Sequence, residues 1–429
     1  MSFLKASQPV AAALPWLEDA PRNDNAPAWM KALRDTGAEA FAGTGLPHPK
    51  QEGWQYTGLR HLSETTFHYS AASVSIDAKK LPQPLLTDTH RIVLLNGRYQ
   101  PQFSDLPAGV TVSDLMQAGQ GAEQYLASVG DMGAMPFKAL NTAYLRDGFV
   151  LKVDKNKDIE KSIEVLLYNV GGETAPAIYP RMLYWLGENS GVTIIERHMG
   201  EGVYFANSYG EAVLEKASHL KFYKLQEESR AAQHFSFLSL QQHKSSSFEW
   251  FSMGLGGQSA RQEMQNRLID SGIHSRVSGV YLINDHQNHD FTILMDHFEP
   301  DGKSVQNFRG VIDDQARAVF QGKIHVRRSA QKTDGYQRHH ALLLSRQAEA
   351  SAKPELEIYA DDVKCSHGAT SGHLDREAMF YLQSRGIPQD EAKALLVKAF
   401  LDAAMEDISY APVREICQRK AEEWLEKKT

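Results

Sequence analysis

The sequence predicts a mainly β protein, with a β-solenoid core between helical N- and C-terminal regions. Short runs rich in Val, Ile, Leu, Phe and Tyr recur from about residue 90 to 365, separated by Gly, Asn, Asp and Ser. No convincing helical period interrupts them, which disfavours an alternation of strands and helices. The stretch also exceeds the roughly 200–250 residues in which a sandwich or barrel closes, whereas stacked coils extend as far as their ends are capped. No strict repeat is visible, so irregular coils are expected, and two packed sheets fit the pattern as well.

The regions follow in order. Residues 1–85 form a mostly helical unit, because APAWMKALRDTGAEAFAGTG spaces Trp29, Met30, Leu33, Ala38 and Phe41 as one helical face. Residues 86–370 form the β core, with strand-like runs such as RIVLLNG, SIEVLLYNVGG, GVTIIERHMG, HFSFLSLQQH, DFTILMDHFEPDG and AVFQGKIHVRR. Residues 371–429 return to a helical period, and Pro388 and Pro412 sit near helix starts, where a missing N–H costs least. In the helix after Pro388, Ala392, Leu395, Leu396, Ala399 and Ala403 form one apolar stripe. Val397, Phe400, Leu401 and Ala404 form a second. A helix at the end of a solenoid covers one stripe with its own domain, so the other is buried by the final helix or left for a partner.

Composition narrows the function. With 429 residues, 42% hydrophobic and 23% charged, the chain has ordinary globular values. A net charge of -7 supplies no basic face, so nucleic acid is not an expected partner. No apolar run approaches the roughly 18–20 residues that cross a bilayer, so no membrane is expected either. Pro9 and Pro15 break the N-terminal apolar run, which does not read as a signal peptide. Cys365 and Cys417, the only cysteines, exclude a disulfide framework and fit a reducing compartment, with the cytoplasm as the expected address.

Several motifs are tempting and incomplete. GLGG at 254–257 lies among strand-like residues with no helix opening after it, and reads as a β-turn or bulge. DGKS at 301–304 lacks the earlier glycine of a phosphate-binding loop, since His297 stands there. His286, His289 and His297 lie near Asp285, Asp290 and Asp296, which reads either as a polar turn between strands or as a zinc site. His339 and His340 would face opposite sides of a strand. The pairs Asp313-Asp314 and Asp361-Asp362 raise a carbohydrate-cleaving solenoid, but neighbours on a strand point apart, which weakens either pair as a two-carboxylate site.

The stretch LEIYADDVKCSHGAT is different. If residues 363–367 are extended, Cys365 and His367 project from one face. A thiolate beside an imidazole suits iron, zinc or copper. From these residues alone, a half-buried thiol and a backbone-bonded histidine is the plainer reading.

RGVIDDQARAVFQGKIHV, AQKTDGYQRHHALLLS, PELEIYADDVKCSHGAT, LDREAMFYLQSRGI and AKALLVKAF together resemble the SufB/SufD family of iron–sulfur cluster assembly proteins. Weaker agreement at GLPHPKQEGWQYTGLRHL and LLNGRYQPQFSDLP extends the resemblance over most of the chain. SufB-like members carry a cysteine in the segment matching TDGYQRHHALLL and read HEAT where this chain has HGAT. The resemblance implies a right-handed parallel β-helix and a non-catalytic subunit that pairs with a SufB-like scaffold, and with a second copy of itself when alone. It also implies a SufC-like ATPase that binds the C-terminal helices and holds the ATP, a role that falls to Val397, Phe400, Leu401 and Ala404. On the same basis His367, with Cys365 beside it, joins a transient iron–sulfur cluster site shared with the SufB-like partner.

Overall fold

The computed structural model describes residues 14–21, 25–48, 50–57, 59, 62, 64–69, 76–118, 121–126, 132–172 and 174–427. Strand makes up 43% of the chain and helix 21%, in a β-solenoid of about 8 turns. Successive strands alternate between an 11-stranded and a 10-stranded sheet, here the first and second sheets. The solenoid and the two packed sheets left open by the sequence pattern are therefore one structure. Within each sheet the solenoid strands pair in parallel. Along the first sheet, register steps from Phe205 to Gln233, Ser259, Asn288, Arg317 and Glu349, or 28, 26, 29, 29 and 32 residues per coil. This drift is why no strict repeat shows in the sequence.

One corner recurs regardless of side chain. Asn156, Asn189, Ala217, Ser245, Gly272, Asp301 and Lys332 each turn the chain with φ between 53° and 71°. The N–H groups of these residues donate to the corner of the next coil, as Asn189 does to Lys216 O, Ala217 to Lys244 O and Lys332 to Asp362 O. Six of these residues carry a Cβ in the left-handed region, a cost that stacked coils repay with the corner hydrogen bond.

The outer faces are covered by the terminal regions. Helix α1 (Ala28–Thr44) crosses α2 (Pro136–Ala143) at Gly37, where a Cβ would meet Ala143 N at 2.7 Å. Their aromatic layer, with Phe41, Trp54 and Phe137, packs on Phe205, Tyr209, Phe235 and Phe237 of the first sheet. At the C-terminus come α3 (Arg376–Ser384), α4 (Gln389–Met405) and α5 (Ala411–Glu426). Here α4 and α5 do not cap the solenoid end, as the sequence reading expects. They fold back along the second sheet, burying Tyr223, Phe251, Met253, Val280 and Val311 under Val397, Leu401, Met405, Ile416 and Trp424. Two amphipathic helices bury more apolar area on a broad sheet face than on a coil end, which favours this placement.

The interior is apolar on one side, where Phe222, Trp250, Phe308 and Phe320 pack. On the other it holds Glu196, His198, Lys224, Glu228, His234 and His289, all buried. Burial drives Lys224 down to about 8, His234 to about 4 and His289 to about 3.

Candidate functional site

The last coil has an unfilled side. Strand Glu349–Ile358 ends the first sheet and Lys364–Gly372 ends the second. They pair inward with Arg317–Val326 and Asp334–Leu343, and among the described residues no strand pairs with their outer edges. Such edges present unpaired N–H and C=O groups to any strand that approaches. The first edge is blunted, since Pro354 lacks an N–H and Lys353 lies 3.3 Å from Glu52 and 3.2 Å from Glu355. The second, KCSHGATSG, carries small and polar side chains.

Cys365 and His367 lie on this second edge, on one face by strand alternation. That face looks into the lumen, because Cys365 packs with Leu356 and Val363 against Ile324, Val326, Ala330 and Ala360. Register sets Cys365 on Gly335 and His367 on Gln337. Gln337 is buried with neither amide atom partnered, whereas His367 is exposed because no coil stacks over it. Burial pushes the Cys365 thiol above its ordinary pKa, although a backbone hydrogen bond at Gly335 pulls it back. The thiol therefore keeps its proton at neutral pH until a cation displaces it. Cys417 is sealed on the inner face of α5 against the second sheet, and burial raises its thiol to about 12. Two donors, about 7 Å apart along a strand, leave at least two positions of a tetrahedral centre unfilled.

Bulky apolar groups flank this end. Ile358 is 38% and Tyr359 58% exposed at the adjoining corner, and Phe380 and Tyr381 on α3 are 72% and 58% exposed. Sequence reasoning did not single these out. LEIYADD and AMFYLQ read as ordinary strand and helix until the fold shows that nothing covers them.

The second apolar stripe of α4 is not where the partner reading needs it. Val397, Leu401 and Ala404 are buried against the chain's own second sheet and final helix, and Phe400 is partly buried beside them. Arg309 fixes this face by donating to Phe400 O at 2.8 Å and stacking on its ring. The first stripe splits: Ala392 is buried, while Leu395, Ala399 and Ala403 are exposed. Ala394, Leu395 and Leu425 line a groove between α4 and α5 that faces outward.

The remaining candidates separate. His289 and His297 lie at opposite ends of strand Asn288–His297, roughly 26 Å apart at the rise of a strand. His289 Nε2 is 2.8 Å from Gly256 O, His297 Nε2 is 2.8 Å from Ser304 Oγ, and His286 is exposed. Asp290 and Asp296 are taken by Arg261 and Arg327. The zinc reading of 286–297 is thereby overturned. Asp314 accepts from Asp285 N at a corner and Asp361-Asp362 stand exposed at the last one, so both pairs sit at turns between strands. His339 points inward to Tyr281 and His340 outward to Thr370, as alternation predicts.

Comparison with known proteins bears on these features. Residues 168–400 match the family model "SUF system FeS cluster assembly, SufBD core domain", and residues 19–165 match "SufBD protein N-terminal region". A SufBD family iron–sulfur cluster assembly protein of Synechocystis is 31% identical over 402 residues, covering 89% of this chain and 88% of its own. The iron–sulfur cluster assembly protein SufD of Escherichia coli is 31% identical over 365 residues, covering 83% and 84%. A chloroplastic protein of Arabidopsis thaliana, ABCI7, is 28% identical over 412 residues, covering 90% and 84%.

Proposed function

The chain belongs to the SufBD family of iron–sulfur cluster assembly proteins, and from that premise we propose that it is a SufD-like subunit without catalytic activity of its own. The observation that carries the reading is the unfilled last coil, where two sheet edges, an exposed imidazole and a half-buried thiol meet. A SufB-like scaffold stacks its own terminal coil there, covering Tyr359 and pairing with strand Lys364–Gly372. His367 and Cys365 then supply part of a donor set that the partner completes, and a transient iron–sulfur cluster is assembled between the chains. A SufC-like ATPase, which holds the ATP, docks on the outward side of the C-terminal helices around Leu395. That face replaces the stripe of Val397, Phe400, Leu401 and Ala404, which the chain keeps for itself. The expected location is the cytoplasm, and no helix of the described residues is long and apolar enough to cross a membrane.

The test is co-expression with SufB-like and SufC-like chains followed by iron and sulfide analysis of the purified complex. His367→Ala should leave the complex assembled and lower its cluster content severalfold. Cys365→Ser should act in the same direction, more mildly. Cluster content unchanged by His367→Ala would overturn the interfacial site.

A further inference from the structure

The polar side of the lumen contains three ligand-type residues that the assembly reading does not use. His198 comes from strand Gly191–Glu201 of the second sheet and His234 from strand Gln233–Gln242 of the first. Glu228 is the first residue beyond strand His219–Glu227. All three are buried, and one ligand atom from each lies within 4.8 Å of the others. The two rings meet edge to face with centroids 4.8 Å apart.

The interior does not satisfy these groups. Nδ1 of His198, both ring nitrogens of His234 and Oε1 of Glu228 have no hydrogen-bond partner. His234 Nδ1 does come within 2.7 Å of Glu228 Oε2, a buried ion-pair contact that draws the two ligand-type groups together. Each buried unsatisfied polar atom costs about 1–3 kcal/mol, so the three that lack any such contact, His198 Nδ1, His234 Nε2 and Glu228 Oε1, point to something that occupies the space between them. Around them the backing is in place. Glu196 Oε1 lies 2.7 Å from His198 Nε2 and Glu196 Oε2 accepts from Tyr184 OH at 2.9 Å, while Gln226 Nε2 donates to Glu228 Oε2 at 3.2 Å. A carboxylate on the far nitrogen of a histidine is how metal-binding imidazoles are oriented and made more basic.

We propose that His198, Glu228 and His234 form an interior site for a divalent first-row transition ion, Fe²⁺ or Zn²⁺. Two imidazoles and one carboxylate are a donor set for either ion, with further positions left for water. Charge is compatible: the carboxylates of Glu196 and Glu228 face a single ammonium, that of Lys224, which Ser236 Oγ holds at 2.6 Å. Glu228 and Gly256 also line a surface cleft of about 220 Å³ beside Trp424 of α5, while the Glu228 carboxylate and the His234 ring themselves are fully buried, so loading requires local opening of the coil. The site lies away from the unfilled coil and does not depend on the assembly reading.

The experiment uses the full chain alone, stripped with chelator and re-loaded with Zn²⁺, with Fe²⁺ under anaerobic conditions, or with Co²⁺ as a spectroscopic probe. About one ion per chain should survive gel filtration, with a Co²⁺ d–d absorption of low-coordinate nitrogen and oxygen ligation and a metal-dependent rise in melting temperature. Glu228→Gln and His234→Gln should each weaken binding at least about 10-fold, the range seen when a metal shell is altered, while His367→Ala should not. Competition between Zn²⁺ and Fe²⁺ decides which ion the site takes. A parent chain that holds no stoichiometric ion and shows no metal-dependent melting shift would overturn the proposal, whether or not the variants fold. So would an ion retained equally by both variants, or one lost in His367→Ala.

Discussion

Leu401→Ala and Leu395→Ala form a paired test of which face of α4 belongs to the chain. Leu401 is 1% exposed within the layer over the second sheet, and Leu395 is 44% exposed on the same helix. Truncating Leu401 removes three carbons, at about 0.8 kcal/mol each, and the cavity left between helix and sheet raises the total to about 3–4 kcal/mol. Leu395→Ala should stay within about 0.5 kcal/mol. A solenoid need not unfold in one step, so the assay is hydrogen exchange of the α4 and α5 amides, which reports local opening. Leu401→Ala should speed their exchange by about two to three orders of magnitude, and Leu395→Ala should leave it unchanged while weakening capture of a SufC-like ATPase. Parent-like exchange in Leu401→Ala, or equal acceleration in both variants, would refute the assignment of the inner stripe to the chain's own core.

Other consequences can be checked directly. With Cys417 sealed and Cys365 the single accessible thiol, the isolated chain should purify without a cluster; iron and sulfide near one cluster per chain would contradict the shared site. Because burial raises the Cys365 thiol, its alkylation at pH 7–8 should be slower than that of a free cysteine and should accelerate only above the ordinary thiol range, while Cys417 should react only after denaturation. Reactivity of Cys365 at pH 7 equal to that of a free cysteine would remove that argument. Asp290→Ala leaves the buried Arg261 guanidinium, which lies over Trp54, with Glu263 as its remaining carboxylate partner, and should destabilise the N-terminal layer by about 1–3 kcal/mol in thermal melts.

The strands were legible because runs such as SIEVLLYNV and FTILMDH are apolar on both sides, as expected of a sheet with a packed lumen and a covered outer face. The coil repeat was not, because its most regular feature is a backbone conformation shared by Asn, Ala, Ser, Gly, Asp and Lys. Cys365 and His367 could be placed on one face from two-residue spacing alone. The inner stripe of α4 could not be assigned, since both stripes are apolar and the choice depends on which way the chain turns after α3. His198, Glu228 and His234 escaped notice because they are spread over two sheets and a turn, and only stacking of coils brings them together.

The two ends of the solenoid are unlike, and this limits how copies can associate. At the start, the two-residue strand Arg98–Tyr99 and the short strand Val110–Asp114 both run antiparallel to their neighbours, so the sheets finish on reversed, brief edges. The far end finishes on two long parallel edges. A far end meeting a start finds little to pair with, which closes the head-to-tail route by which stacked coils grow into fibres. Far end against far end uses the same patch twice, a contact that ends at two chains. Any self-association through the far end is thus limited to two chains.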